Sequence, residues 1–280
     1  MKTKYFILIF ISLWCLSIKP CGASSKLRVI SLTPATTEIL FALGLDNEIV
    51  GVSSFCDYPA AATKKEKVGT FSYANIEKIV SLKPDIIFCT GLEQAPLVTK
   101  LKQLGLQVYV CDPANFEELF ASILEMGRLT SRENQARKLT EKMRSFVSAI
   151  KEKSASLPDN KRPRVFVEIW NDPLMTAGEA SFIDELINIA GGINVARAIH
   201  KAYSNISPEY VIKKDPQVII LGYMTPELPV AFLQARLGWK NVSAVKNSRV
   251  YSDIDPNVLF RPGPRLIEAL QEIHKKLYLS

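Results

Sequence analysis

Two stretches with the same pattern, residues 76–87 and 208–219, constrain the fold of this chain more than any other feature. Each begins with a short segment that carries an acidic residue near its start, continues through a turn that contains a proline, and ends in apolar residues. This order predicts a short helix, a turn and a buried strand in both halves of the chain. Because an internal repeat reflects repeated structural units, the sequence favours two lobes of similar construction.

A long helical pattern lies between the two stretches, from Thr130 to Leu157. Apolar residues recur there at helical spacing opposite a charged face, residues 130–133 match a capping box, and Pro158 marks the end. About 25 residues at a rise of 1.5 Å each would span ~37 Å. The helix alone fits either a strut between two lobes or a surface helix of one larger domain, and the repeated stretches favour the strut.

Strand and helix patterns alternate on both sides of this helix, as expected of parallel sheets covered by helices. We therefore predict an α/β fold of two lobes, each a parallel sheet flanked by helices, joined by one long rigid helix. The predicted N-terminal lobe covers residues 24–130, the linking helix covers residues 131–157, and the C-terminal lobe covers residues 158–280.

Residues 1–23 have the pattern of a secretory signal peptide. Two lysines precede an apolar run, residues 5–18, that is too short for a comfortable transmembrane span, and small residues precede a cleavage site at Ser24. We predict export in soluble form to the periplasm or another extracytoplasmic space. A lipoprotein is the alternative, although neither Cys15 nor Cys21 follows the small residues that a lipid-modification site usually has.

Charge and motifs argue against several classes of function. The net charge is +7, but three of the lysines lie in residues 1–23 and the other basic residues are dispersed among acidic ones, so a nucleic-acid partner is not indicated. The sequence has no Gly-rich phosphate loop, no Gly-x-Ser-x-Gly elbow and no paired-histidine metal motif. We therefore predict no catalytic residues and no metal site.

The cysteines that would remain after export are Cys56, Cys89 and Cys111. An odd number leaves at least one thiol free in an oxidising compartment. Cys89 and Cys111 end two predicted strands that we expect to be neighbours. A disulfide between them and a pair of buried free thiols are both compatible with the sequence, and the free thiols are favoured.

Aromatic residues are concentrated at or just after the predicted strand ends. In open parallel sheets, ligands bind at the carboxyl ends of the strands. Two lobes that face each other through such ends would form an aromatic-lined cleft for a large, partly apolar ligand. The alternative is that the rings plug the ends of the sheets, which we expect for about half of them. These residues are Phe55, Tyr58, Phe71, Tyr73, Trp170, Tyr203 and Tyr223.

Several short sequence segments, spread over nearly all of the chain after residue 28, match those of a known family. The chain resembles the periplasmic substrate-binding proteins of cobalamin and iron-siderophore ABC importers, and within this family it is most similar to the cobalamin-binding proteins. The resemblance implies two lobes, a rigid helical linker, little hinge motion and docking of the loaded protein onto a permease dimer. The matching segments are residues 29–38, 51–59, 76–87, 172–178, 190–194 and 261–265.

The resemblance also implies which residues meet the ligand. The ligand-contacting aromatic positions of the family correspond to Tyr58, Phe71 and Tyr203. Cobalamin-binding proteins often have Trp at two of these positions, so the ring area is smaller in this chain. The complete set that we expect around the gap between the lobes is Asp57, Tyr58, Phe71, Trp170, Tyr203, Asp255 and Arg261.

Docking residues follow from the same comparison. In the family, one glutamate on each lobe meets arginines of the permease, and by motif position these are Glu77 and Glu209. Each also lies in the first turn of a predicted helix, where a negative charge stabilises the helix N-terminus. The two roles are compatible.

The function that the sequence predicts is capture of cobalamin or a related corrinoid by a monomeric exported protein, which delivers it to an ABC importer permease. The protein would be neither an enzyme nor a carrier of a cofactor of its own. An iron-siderophore or haem protein of the same family is the alternative. In that case Arg261 would attract an anionic chelate, unless its role is limited to the start of a helix. A secreted α/β hydrolase or metalloenzyme is a more distant alternative, disfavoured by the missing motifs.

Overall fold

The computed structural model of the protein describes residues 26–91, 93–223 and 230–278. The predicted signal segment, residues 1–23, lies outside these ranges. None of the described helices is both long and apolar enough to cross a membrane. Two sheets organise the described chain, and each forms the centre of one α/β lobe.

A parallel sheet forms the centre of the first lobe. Its elements are β1 Val29–Ser31, α1 Pro34–Ala42, β2 Ile49–Val52, α2 Ala60–Thr63, α3 Ile76–Ser81, β3 Ile86–Cys89, α4 Ala95–Gln103, β4 Val108–Val110 and α5 Phe116–Leu129. The strand order is β2-β1-β3-β4. Every residue of the central strands β1 and β3 is buried, which is typical of parallel strands covered by helices on both faces.

A single helix of 23 residues, α6 (Glu133–Ala155), connects the lobes and lies within the predicted residues 131–157. The predicted capping box at its start is wrong. The hydroxyl of Thr130 donates to the carbonyl of Met126 (2.7 Å), and the N–H of Arg132 donates to the carbonyl of Gly127 (2.7 Å). These groups therefore close α5, and Arg132 occupies the N-cap of α6 without a capping side chain.

A larger sheet forms the centre of the second lobe. Its elements are β5 Arg164–Asn171, β6 Leu174–Ala177, α7 Phe182–Ile189, β7 Ile193–Asn194, β8 Tyr203–Asn205, α8 Pro208–Lys214, β9 Val218–Leu221, α9 Val230–Ala235, α10 Ser243–Lys246, β10 Val250–Tyr251, α11 Pro256–Leu259 and α12 Leu266–Tyr278. The strand order is β10-β9-β5-β6-β8, and β7 also pairs with β5.

This second sheet is mixed, so the prediction of a parallel sheet in each lobe is wrong for the second lobe. β5 pairs in parallel with β7 and β9, but it pairs antiparallel with β6, which in turn pairs antiparallel with β8. Only Asp172 and Pro173 connect β5 to β6, and so short a connection can join only antiparallel neighbours. β6, β7 and β8 are too short to show a recognisable alternating pattern.

The repeated stretches have the same conformation in both lobes. The side chains of Asn75 and Ser207 cap α3 and α8 by accepting from backbone N–H groups in the first turn. Lys83 and Asp215, each of which precedes a proline, have positive φ angles of 45° and 44°. The strands that follow, β3 and β9, both pair in parallel with the first strand of their lobe.

Two arginines extend this equivalence between the lobes. The side chain of Arg28 donates through Nε to the carbonyl of Leu82 at 2.7 Å, and that of Arg164 donates through Nε to the carbonyl of Lys214 at 3.2 Å. Both bonds satisfy carbonyl groups at the end of a short helix, which lack partners inside the helix. The internal repeat thus includes an arginine at the start of the first strand of each lobe, since Arg28 immediately precedes β1 and Arg164 is the first residue of β5.

The hydrophobic core is continuous between the lobes. One cluster of buried residues includes Val29 of β1, Met143 of α6 and Val165 of β5. Phe116 of α5 lies edge-on to Phe182 of α7, with the ring centroids 5.9 Å apart. The lobes are therefore held together by a shared core as well as by the connecting helix.

Candidate ligand-binding site

An ion pair between Asp57 and Arg261 joins the two lobes. Asp57 lies in the loop after β2, next to the buried Cys56, and Arg261 follows α11 in the second lobe. Nη1 and Nη2 of Arg261 donate to Oδ1 and Oδ2 of Asp57 at 2.5 and 3.2 Å, so the pair is bidentate. The hydrogen bond from Arg261 lowers the pKa of Asp57 below its usual value.

Next to this pair, the carboxylate of Glu38 binds two arginines of the second lobe. Glu38 lies on α1, and its side chain is only 2% exposed. Arg265 donates to it from Nε and Nη2 at 2.9 and 2.7 Å, and Nη1 of Arg261 donates to it at 3.3 Å. A buried carboxylate without partners is strongly unfavourable, and these guanidinium groups supply both the charge and the hydrogen bonds that it needs.

We call the group formed by Glu38, Asp57, Arg261 and Arg265 the inter-lobe cluster. It also contains two more of the residues predicted to meet the ligand. The guanidinium carbon of Arg265 lies 3.8 Å from the centroid of the Tyr58 ring. Nη1 of Arg265 lies 4.0 Å from the carboxylate of Asp255. The side chain of Asp255 also accepts from the N–H of Asn257 at 2.8 Å and caps α11. The structure thus brings Asp57, Tyr58, Asp255 and Arg261 together.

Half-exposed aromatic rings occur in both lobes. Tyr58, Trp170 and Tyr203 are 45%, 44% and 49% exposed, while Phe71 is partly buried. The alternative in which rings plug the sheets applies to Tyr223, which is buried. Single exposed rings are common on protein surfaces, and only a contiguous apolar patch marks a binding surface, so the exposure of these rings leaves them accessible to a ligand without showing that they bind one.

The hydrogen bonds of Phe71 and Trp170 lie within their own lobes, and Tyr203 lies on β8 of the second lobe. No hydrogen bond or ion pair within the described ranges links them to the inter-lobe cluster. The carbonyl of Phe71 accepts from Nε2 of Gln94 at 2.8 Å, and Nε1 of Trp170 donates to the carbonyl of Asp172 at 2.8 Å. A common cleft lined by all the predicted residues therefore remains a prediction.

A second buried charge pair supports the strand that carries Trp170. Glu168 of β5 is fully buried, and Arg236 donates to its two oxygens at 2.7 and 2.5 Å. The hydroxyl of Tyr223 donates to the same carboxylate. Burial, followed by the charge of Glu168, raises the pKa of Tyr223 and keeps the phenol protonated. The network fixes the chain around Arg236 against the carboxyl end of β5.

The sequence reasoning missed the partners of these two buried carboxylates. Glu38 and Arg265 are the last residues of two segments that carry the family resemblance. Glu168 interrupts an otherwise apolar strand pattern. A single acidic residue within an apolar segment signals a buried charge that needs a cation. Nothing in the local pattern identifies that cation, because Glu38 and Arg265 are 227 residues apart.

Glu77 and Glu209 have equivalent places on the surface of the two lobes. They lie in the first turns of α3 and α8, and both are exposed. The pKa of Glu209 is lowered by a hydrogen bond from its own backbone N–H and by one from Ser207. The structure therefore supports the helix-terminus role of these charges and leaves both side chains accessible.

All cysteines in the described ranges, Cys56, Cys89 and Cys111, are buried free thiols. The candidate disulfide between Cys89 and Cys111 is thus not formed, although the N–H of Cys111 donates to the carbonyl of Cys89 at 2.8 Å between neighbouring strands. Burial raises the pKa of Cys89 to about 12 and that of Cys111 to about 11. No group of side chains that could hold a metal ion occurs in the described part of the chain.

Comparison with known proteins identifies the family. Residues 29–256 match the model of the periplasmic binding protein family, and a curated relative is 34% identical over 256 residues. The chain belongs to the periplasmic binding protein family. That relative, an uncharacterized ABC transporter substrate-binding lipoprotein of Bacillus subtilis, is matched over 90% of this chain and 80% of its own length.

Two further similar proteins have names that refer to different ligands. A vitamin B12-binding protein of Vibrio cholerae is 31% identical over 248 residues, which are 88% of this chain and 87% of the relative. The solved structure of a possible iron-binding, periplasmic solute-binding protein from Staphylococcus epidermidis is 30% identical, with a TM-score of 0.78 over 90% of this chain and 98% of that one.

These matches confirm the predicted family, the periplasmic substrate-binding proteins of cobalamin and iron-siderophore ABC importers. They also confirm the two-lobed α/β fold, with the correction that the second sheet is mixed. Because the family consists of transport-associated binding proteins, this periplasmic binding protein has an extracytoplasmic role.

Proposed function

We propose that this protein captures a corrinoid, cobalamin or a close relative of it, between its lobes and delivers it to the permease of an ABC importer. The observation that carries the proposal is the inter-lobe Asp57–Arg261 pair beside the half-exposed ring of Tyr58. The relative named as a vitamin B12-binding protein supports the choice of ligand.

The chemistry of a corrinoid fits the residues available. A corrinoid has a broad ring with apolar faces and a rim of amide groups. The rings of Tyr58, Trp170 and Tyr203 would cover the faces, because aromatic side chains offer large and rigid contact areas. The carboxylates of Asp57 and Asp255 would accept hydrogen bonds from the amides. The core shared by the lobes reduces the ordering cost of binding.

An iron-siderophore or haem ligand is the second candidate, and the solved structure from Staphylococcus epidermidis favours it. Haem and the anionic ferric siderophores carry negative charge, so they require an available cation. Arg261 was the residue expected to supply it, but both of its terminal nitrogens donate to Asp57. This pairing favours the corrinoid.

The proposal includes the remaining properties expected from the sequence. The protein acts as a monomeric carrier without enzymatic activity or a cofactor, and Glu77 and Glu209 contact the permease. A signal peptide in residues 1–23 directs its export in soluble form. The alternative of a lipid anchor is supported by the name of the Bacillus subtilis relative, and detergent partitioning of the protein made in cells distinguishes the two forms.

Calorimetric titration of the purified protein with cyanocobalamin, haem and an anionic ferric siderophore tests the identity of the ligand. The proposal expects saturable one-to-one binding of cyanocobalamin, with weaker or no binding of the two anionic ligands. Tight binding of haem or of the ferric siderophore without any corrinoid binding would replace the first candidate by the second.

A further inference from the structure

The charge of Arg261 is already neutralised by groups of the protein. Asp57 accepts two hydrogen bonds from it, and Glu38 lies within 3.3 Å of the same Nη1 atom. The Arg261 side chain is 15% exposed, whereas that of Asp57 is 53% exposed. A ligand that approaches this position therefore meets a carboxylate before it meets the guanidinium group.

The cluster as a whole has no excess of positive charge. Its charged members are Glu38, Asp57, Asp255, Arg261 and Arg265. Carboxylates outnumber guanidinium groups by one, so the cluster has a net negative charge when all members are ionised. Like charges placed opposite each other across an interface disfavour the wrong partner.

We propose that Asp57 is a specificity-determining residue, which cancels the charge of Arg261 and makes the ligand site select molecules without net negative charge. The inference rests on the proposed function for the location of the site, and it assigns to that site a class of ligand. Arg261 then serves to hold Asp57 and Glu38 between the lobes, and not to attract an anionic chelate.

The sharpest test compares ligands that differ in one charge. Cyanocobalamin is neutral, and its monocarboxylic acids, in which one rim amide is replaced by a carboxylate, have nearly the same shape. The measured quantity is the ratio of the dissociation constant of each acid to that of cyanocobalamin. Because both constants come from one preparation, a loss of folded protein cancels in the ratio.

Asp57→Asn removes the charge and keeps the shape of the side chain. We expect it to lower the preference for the neutral ligand about fivefold for the acid whose carboxylate lies nearest Arg261, the scale of one charge at a half-exposed position. Asp46→Asn is the matched control, because the Asp46 side chain is 54% exposed and pairs with a lysine, Lys65, at 3.0 Å. This control should keep the wild-type ratio for every acid.

The inference is overturned if Asp57→Asn leaves the ratio unchanged for all the acids, or changes it no more than Asp46→Asn does. Failure of the proposed function has a different signature, since the wild-type protein would then not bind cyanocobalamin. In that event, haem and its dimethyl ester form the charged and neutral pair. The same shift in ratio on Asp57→Asn is expected, and its absence again contradicts the inference.

Discussion

The guanidinium group of Arg265 lies over the ring of Tyr58, with its central carbon 3.8 Å from the ring centroid. The same side chain donates two hydrogen bonds to the buried carboxylate of Glu38. Tyr58 and Glu38 belong to the first lobe and Arg265 to the second. One side chain therefore connects a ring expected to meet the ligand with the charge cluster that joins the lobes.

Replacing Arg265 should destabilise the protein. Arg265→Met keeps much of the side-chain length but leaves Glu38 with Arg261 as its remaining cationic partner. Breaking a buried ion pair from one side costs about 3 kcal/mol, and we expect a loss of that size in the free energy of unfolding. Urea unfolding followed by circular dichroism measures it.

The control for this prediction is Arg128→Met, which removes the same charge from a solvent-exposed pair with Glu125. Surface pairs contribute little, so its unfolding midpoint should stay near that of the wild type. Equal midpoints for the two variants would show that the inter-lobe cluster does not stabilise the fold.

The buried thiols should make stability depend on alkaline pH. Burial raises the folded-state pKa of Cys89 to about 12 and that of Cys111 to about 11, from an ordinary value of 9.0. The contribution of these thiols to the free energy of unfolding is therefore complete below pH 9. It is lost as the pH rises toward these values, because in that range the thiols ionise readily only in the unfolded chain. The double variant Cys89→Ala, Cys111→Ala should lose less stability than the wild type between pH 9 and 11. A parallel loss in both proteins would contradict the assignment of free buried thiols.

Truncating the predicted ligand-facing rings should weaken corrinoid binding. Tyr58→Ala or Tyr203→Ala removes a large contact surface, and each should cost ~1–3 kcal/mol of binding free energy, the scale for burying a large side chain. Calorimetry provides the measurement. Leu237→Ala truncates an apolar side chain that is 95% exposed and outside the predicted set, and it should bind as the wild type does. If both tyrosine variants also keep wild-type affinity, the predicted cleft is wrong.

The two exposed glutamates should matter for docking and not for capture. Glu77→Ala or Glu209→Ala should weaken association with the permease, because charge complementarity sets orientation and encounter rate. Added salt should weaken association of the wild type as well, since exposed charges are screened. Surface plasmon resonance with the reconstituted permease measures both effects, and Glu141→Ala, at an exposed position on α6, is the control. A variant that loses ligand affinity but docks normally would place its glutamate in the cleft.

The parts of the fold that the sequence predicted correctly are those with local causes. The short helices α3 and α8 could be recognised because a polar cap, an acidic first turn and a proline turn lie within about a dozen residues. Thr130 shows the limit of this reasoning, since its hydroxyl could either cap the following helix α6 or bond to a carbonyl of the preceding helix α5. The structure shows that it bonds back to Met126.

The candidate site was predictable only in part. We could predict Tyr58, Asp57 and Arg261 as site residues because they lie in segments that match the family. The pairing of Arg261 with Asp57 could not be predicted, because the two residues are 204 positions apart and no local pattern specifies the contact. The family resemblance offered Arg261 two roles, attraction of an anionic chelate or a place at a helix start, and neither role includes the pairing with Asp57.

A crystal structure of the protein with cyanocobalamin would show whether a corrinoid binds between the lobes. Anomalous scattering from cobalt locates the ligand without bias. We expect a cobalt peak in the gap between the lobes, with the corrin ring within about 4 Å of Tyr58 and Tyr203, the distance of apolar contact. A cobalt peak on the outer surface of either lobe, or ligand density that touches one lobe only, would contradict this expectation.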